Sequence, residues 1–197
     1  QELDAVLEKL AGNGGESSLD DGARAVIQGV AAHRLTVVTG GPGTGKTWSI
    51  TRALGTLLQT HPGDAELSIA LAAPTGKAAV RMAESIAAQR ERTPFSQRTR
   101  DRLAALQPTT LHRLLGVLPH RADRFVHGRT RPLGADVVVV DEASMIDVVM
   151  MRHLAESVAA GARLVLLGDR DQLASVSAGA VLADLVAGAF DFAVGLD

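Results

Sequence analysis

The chain has 197 residues, 46% of them hydrophobic and 21% charged, with a formal net charge of −2. That length holds one good core but not two large domains, and the composition excludes a disordered polymer. The absence of cysteine excludes disulfides and cysteine metal sites, and apolar runs no longer than a strand argue against a membrane span.

In chain order, residues 2–11 read as a short helix and "GNGGESS" as a linker. Ser18 is placed to cap a helix over about 20–33, with Ala23, Val26, Ile27 and Val30 on its apolar face. "LTVVT" (35–39) is a β-branched strand that runs directly into glycines. "KTWSITRALGTLLQ" then has helical spacing, with Ile50, Leu54, Leu57 and Leu58 on one side. "LSIALAA" (67–73) reads as a second buried strand, followed by a helix over about 76–88. Residues 89–109 are polar, arginine-rich and weakly patterned. "TLHRLLG" (110–116) predicts one to two helical turns capped by Thr109 or Thr110. "RFVHGRTRPL" (124–133) predicts a hairpin turning at His127-Gly128. "DVVVVDEA" (136–143) is a third strand, with a helix over about 147–159 behind it. "RLVLLGD" (163–169) is a fourth, and "SAGAVLADLVAG" opens a last helix. Continuously apolar strands alternating with helices predict an α/β fold, a parallel sheet with helices on both faces. The expected organisation is an N-terminal helix and linker over 1–17, then one domain over 18–197 with a basic insertion at about 89–133. The chain opens with Gln1 rather than Met, so an excised or processed piece is expected. No basic-then-apolar leader precedes it, and a cytoplasmic location is the expectation.

Three runs carry chemistry. "GGPGTGKT" (40–47) fits G-x-x-x-x-G-K-[ST] between a strand and a helix, the context a phosphate cradle requires. Gly41, Pro42, Gly43, Thr44 and Gly45 form the loop whose N–H groups can turn inward on phosphates. Lys46 neutralises phosphate charge, and the Thr47 hydroxyl can ligate Mg²⁺. "VVVVDEAS" (137–144) delivers Asp141 and Glu142 at the carboxyl end of a strand, where open α/β sheets bind ligands. Asp141 is placed to hold Mg²⁺ through water and Glu142 to polarise an attacking water, which implies hydrolysis rather than storage. "LLGDRDQLASVSAG" (166–179) brings Gly168, Asp169 and Gln172 to a third strand end. The Gln172 amide can both donate to a γ-phosphate and accept from water.

Charge is unevenly spread. Residues 77–133 hold 12 of the 20 Lys and Arg but 4 of the 22 Asp and Glu, a local net of +8, a pattern that points to a polyanion. Lys77 sits there in "APTGKAAV" (73–80), a second TGK. It lacks the preceding glycines, and Pro74 has no N–H to give, so a second nucleotide cradle is not expected. What remains is a helix amino terminus with Thr75 as a candidate cap, Gly76 permitting close approach and Lys77 nearby, which suits a single phosphate. Arginines 90, 92, 98, 100 and 102 bind a strand, bind a partner or only keep a loop soluble.

In that order, "GGPGTGKT", "LAAPTGKAA", "TLHRLLG", "VVVVDEASM" and "LLGDRDQLASV" resemble the successive motifs of superfamily 1 helicases. They are most similar to the RecD branch, the alpha subunits of bacterial exodeoxyribonuclease V, over about residues 20–190. The resemblance implies a RecA-like P-loop NTPase fold with the Gly168 strand inserted between the P-loop strand and the Asp141 strand. It implies an ATP- and Mg²⁺-dependent motor running 5′ to 3′ on single-stranded DNA in double-strand break repair, beside RecB-like and RecC-like subunits. It assigns catalysis to Lys46, Glu142 and Gln172, and places Pro74, Thr75, Gly76, Lys77, Thr110, His112 and Arg113 along the DNA. Other superfamily 1 lobes, relaxase-linked or stand-alone, and a nucleotide-gated structural subunit remain the alternatives.

The sequence departs from that family in three places. Ala23 stands where a glutamine that reads adenine is expected. Trp48 stands where a small polar residue is expected; it packs beneath the nucleotide or fills core, and core packing is the favoured reading. A second RecA-like domain with its arginine finger is expected to be missing, since the given sequence stops soon after the fourth strand. An isolated lobe is therefore expected to be monomeric, to hydrolyse ATP slowly and not to unwind, since such an arginine is worth about 10³–10⁵ in rate.

Overall fold

The computed structural model describes residues 21–41, 43–61, 66–118, 121–169, 182 and 193–196. Expectations for the helix over 2–11, the linker, Ser18, Pro42, Gln172 and most of the last helix lie outside those residues. Alternating apolar and amphipathic runs give α1 (Asp21–Ala32), β1 (Leu35–Gly40), α2 (Lys46–Thr60), β2 (Ile69–Ala73), α3 (Gly76–Arg92) and α4 (Gln97–Ala105). Then come β3 (Thr109–Thr110), α5 (Leu111–Leu115), β4 (Val117–Leu118), β5 (Arg121–Phe125), β6 (Val137–Val140), α6 (Val148–Ser157), β7 (Arg163–Gly168) and β8 (Ala193–Leu196).

Six strands make one sheet in the order β3-β2-β6-β7-β1-β8, and every pairing in it is parallel. β7 lies between β6 and β1, with Val139 opposite Val165 and Val38 opposite Leu167. This is the RecA-like P-loop order, with the Gly168 strand inserted where the motif order implied. Because successive strand residues face opposite sides, the valines of β6 divide between two cores. Val137 and Val139 pack with Val26, Ile27, Ile50, Leu54, Met82 and Ile86, under α1, α2 and α3. Val138 and Val140 pack with Leu111, Leu115, Met151 and Leu154, under α5 and α6. Burial on both faces is why the strand tolerates four consecutive valines and why a polar residue at any of them would be costly.

Several elements differ from the sequence expectation. The arginine-rich stretch is not a loose loop. α3 runs to Arg92, Ser96 caps α4 by accepting from the Thr99 N–H, and Phe95 and Leu103 enter the first core. Arg102 donates to the Leu67 carbonyl at 2.7 Å, so that charge serves the fold. Gly55 leaves the space for Phe95: a Cβ there would collide with the phenyl ring. The hairpin is formed by β4 and β5, antiparallel, with Val117 opposite Phe125. Around His127-Gly128 there is only a tight turn, in which Gly128 and Arg131 exchange both backbone hydrogen bonds. Edge strands β3 and β8 have no strong pattern of their own. They are short, and their neighbours β2 and β1 supply the pairing.

Candidate functional site

The glycine loop leaves β1 and enters α2. Gly43 and Gly45 take positive φ, 81° and 83°, a conformation that favours glycine and that turns successive N–H groups to one side. Gly45 is the N-cap of α2 and provides no side-chain cap, so the first N–H groups of that helix are left to an incoming acceptor. The Gly41 carbonyl accepts from the Thr44 hydroxyl at 2.9 Å and from Lys46 Nζ at 2.8 Å, and the Gly40 carbonyl accepts from Lys46 Nζ at 2.5 Å. Those bonds hold the ammonium over the mouth of the loop.

The second TGK is built differently. Thr75 caps α3 by accepting from the Ala78 N–H at 3.2 Å, so one of the donors that the first loop leaves open is closed here by the chain itself. Thr75, Gly76 and Lys77 are exposed.

β6 carries Asp141 and Glu142 out at its carboxyl end. Asp141 Oδ1 accepts the Glu142 N–H at 2.8 Å, and the Asp141 N–H donates to the Ala72 carbonyl at 2.9 Å. Glu142 has φ 53° and ψ 39°; among the described residues it is the one non-glycine in the left-handed region. Such a conformation costs about 1–2 kcal/mol in a non-glycine residue and redirects the side chain away from its neighbour. Burial pushes the Asp141 carboxyl above its usual range. The bond from Glu142 N–H opposes that, the Glu142 charge adds to it, and the Lys46 ammonium opposes it more weakly.

These parts meet in one cleft of about 410 Å³ lined by Gly43, Thr44, Gly45, Lys46 and Thr47 on one side and Asp141, Glu142 and Asp169 on the other. Asp169 is buried immediately after β7, which carries it between the other two strands. Gly168 is needed for closeness: a Cβ would strike Leu182 and stand 3.2 Å from the Ser144 nitrogen. The donor set fits a Mg²⁺-bound polyphosphate. Loop and helix N–H groups and the nearby Lys46 would meet the phosphates, while Thr47 and Asp141 would offer hard oxygens to the metal. Among the described residues lining the cleft, Lys46 is the sole cation.

Trp48, Ser85 and Gln89 also line the cleft, and sequence reasoning did not place the last two. Their only signal is that Ser85 and Gln89 are one helical turn apart, beside the buried positions Met82 and Ile86 of α3. Core packing for Trp48 is corrected: the side chain is half-buried in the cleft wall, because the first turn of α2 opens onto the site.

The remaining predicted positions lie along the same carboxyl edge of the sheet, after β2 and β3. Pro74 and His112 line a notch of about 80 Å³ with Leu111, Met145, Ile146, Asp147 and Met150. Thr110 caps α5 by accepting from the Arg113 N–H at 3.3 Å, while the His112 and Arg113 side chains are exposed. The His112 ring centroid is 6.0 Å from that of Phe125.

With that geometry in hand, the comparisons give the family. The AAA domain matches residues 23–178. The RecBCD enzyme subunit RecD of Mycolicibacterium smegmatis is 50% identical over 167 residues, 84% of this chain and 30% of that protein. The RecD subunit of Mycobacterium tuberculosis strain H37Rv is 52% identical over 156 residues, 78% of this chain and 26% of that protein. The chain thus spans under a third of the length of these relatives. A crystal structure of the HK97 bacteriophage large terminase superposes with a TM-score of 0.54 over 98% of this chain and 42% of that one, at 13% identity, a likeness of fold alone. The chain therefore belongs to the AAA domain family, and within it is similar to the first motor domain of RecD.

Proposed function

We propose that this chain is the ATP-binding motor lobe of a RecD-type, ATP-dependent DNA helicase. In this reading it moves 5′ to 3′ on single-stranded DNA and works in break repair and recombination within an exodeoxyribonuclease V complex, beside RecB-like and RecC-like subunits. The observation that carries the reading is the single cleft in which the glycine loop, Lys46 and Thr47 face Asp141 and Glu142. Bound Mg²⁺ would supply charge neutralisation across the β- and γ-phosphates, held at Thr47 and Asp141. Gly45 and the N–H groups beyond it orient the phosphates, and Lys46 shifts from the loop carbonyls toward them. Glu142, turned aside by its left-handed backbone, accepts the proton of the attacking water. Asp169 and Gln172, at and beyond the end of β7, are the proposed sensors of the γ-phosphate.

No arginine lines the cleft among the described residues, and in this reading the transition-state cation comes from outside this lobe. Slow hydrolysis by the lobe alone follows. On the DNA side, Pro74, Thr75, Gly76, Lys77, Thr110, His112 and Arg113 are proposed to hold the strand, gripping mainly phosphates. The relatives' names and the exposure of Thr75, Gly76, Lys77, His112 and Arg113 support this.

The test is unwinding of 5′-tailed and 3′-tailed duplexes by the assembled complex carrying Lys46→Ala or Glu142→Gln. Loss confined to the 5′-tailed substrate is expected. Undiminished unwinding of both would instead favour a nucleotide-gated structural subunit.

A further inference from the structure

Phosphate and metal chemistry does not account for one wall of the cleft. Trp48, Ser85 and Gln89 line the cavity together with the glycine loop. Trp48 lies two residues beyond Lys46 in the first turn of α2, close to where phosphates enter. One helical turn further on, the buried Arg52 places its guanidinium carbon 4.0 Å from the Trp48 ring centroid. That stack occupies one face of the indole and fixes the ring's attitude. Since Trp48 is half-buried and lines the cleft, the opposite face is the one that can meet a ligand.

The same cleft is lined by Gln89, which among the described residues is the one carboxamide on it. Its backbone carbonyl is taken by Thr93, whose N–H and hydroxyl both donate to it, so the end of α3 that carries the side chain is anchored. A carboxamide offers one acceptor and a pair of donor hydrogens. Adenine presents a matching donor and acceptor at N6 and N7, whereas guanine presents two acceptors on that edge. Ala23, the position from which the sequence comparison expects an adenine-reading amide, is fully buried and has no such group.

We infer that Trp48 is the stacking platform for the nucleobase of the bound nucleoside triphosphate and that Gln89 reads the edge of that base as adenine. The inference rests on the nucleotide reading above and adds to it the half of the ligand that the phosphate loop does not specify. An aromatic platform contributes affinity that is independent of the metal and of hydrolysis. The amide converts it into a preference.

In the full-length protein, the part of the tryptophan emission that Trp48→Phe removes reports Trp48. Binding of Mg·ATP and of Mg·tripolyphosphate is measured by calorimetry and by that emission. Mg·ATP is expected to quench Trp48, and tripolyphosphate to bind without quenching. Trp48→Leu should bind Mg·ATP about 5- to 100-fold more weakly, the range of one base–aromatic stack, with tripolyphosphate affinity unchanged. Trp48→Phe should keep most of the ATP affinity. Gln89→Leu should narrow the preference for ATP over GTP and leave tripolyphosphate binding intact. If Trp48→Leu binds Mg·ATP as tightly as the parent, or loses both ligands equally while Trp48→Phe restores neither, the stacking role is overturned and the phosphate site stands. If the parent chain binds neither ligand, the nucleotide reading falls and this inference with it.

Discussion

Asp141 accepts a hydrogen bond from the backbone N–H of Glu142, the next residue, at 2.8 Å. Glu142 itself sits in the left-handed region, with φ 53°. In the proposed reading these two adjacent carboxylates at one strand end have separate tasks. Asp141, its charge partly met by that N–H, holds the metal, and Glu142 works on water.

The pH behaviour of Asp141 follows from its burial, which raises its pKa above the ordinary 3.8. Because the folded carboxyl holds its proton more tightly than the unfolded one, the stability it contributes is complete below the unfolded value. That contribution is lost as pH rises through the raised folded value. Asp141→Asn, which keeps an acceptor for the Glu142 N–H, should therefore melt at the same or a higher temperature than the parent at neutral pH. Metal binding runs the other way, since Mg²⁺ needs the carboxylate. Mg²⁺-dependent nucleotide affinity should fall as pH drops through the raised value, and Asp141→Asn should lower it at least about tenfold. Thermal melts and nucleotide titrations across pH check both signs.

Removing the Lys46 ammonium has a related consequence. It is one of the two influences that lower the Asp141 pKa. In Lys46→Ala the midpoint for loss of Mg²⁺ binding should move to higher pH, measured by metal titration in the absence of nucleotide.

Gly55 tests the packing of the α3–α4 connection, which carries Phe95, against α2. Glycine in the middle of an exposed helix is usually improved by alanine. Here a Cβ would enter the ring of Phe95, itself buried. Gly55→Ala should cost about 1–3 kcal/mol, a fall in melting temperature of roughly 2–10 °C for a chain of this size. Restoration by Gly55→Ala with Phe95→Leu would tie the loss to that contact.

On the proposed DNA face, Lys77→Ala should weaken single-strand binding and reduce the salt slope by about 0.7, the share of one phosphate contact, with nucleotide affinity unchanged. Thr75→Ala should do the same and also lower stability by about 1 kcal/mol, because it removes the cap on Ala78. Filter binding over a salt series separates the two.

The fold was legible wherever one residue pattern had one cause. The glycine loop, the four valines and the apolar face Ala23, Val26, Ile27 and Val30 of α1 all appear as the sequence implied, since each is dictated by local geometry or by burial on one side. The edge strands β3 and β8 were not, because strand pairing there comes from a neighbour distant in sequence: Ala72 opposite Thr109, Val38 opposite Val194. The sequence left the arginines of α4 open between a DNA strand, a partner and a soluble loop, because hydrogen bonds such as that from Arg102 to the Leu67 carbonyl leave no trace in periodicity. In the cleft, motif spacing named the residues along the phosphates. It could not name Ser85 and Gln89, which reach the site through the packing of α3 and belong to no local pattern.

The central claim is that this cleft turns over ATP, with Glu142 acting on water. Its most direct test is parallel measurement of nucleotide binding and steady-state ATP hydrolysis in the full-length protein, within its assembled complex, with and without Glu142→Gln. The account predicts unchanged Mg·ATP affinity and hydrolysis slowed about 10²–10⁴-fold, the worth of a positioned general base. Hydrolysis by this subunit that survives Glu142→Gln at the parent rate would contradict it.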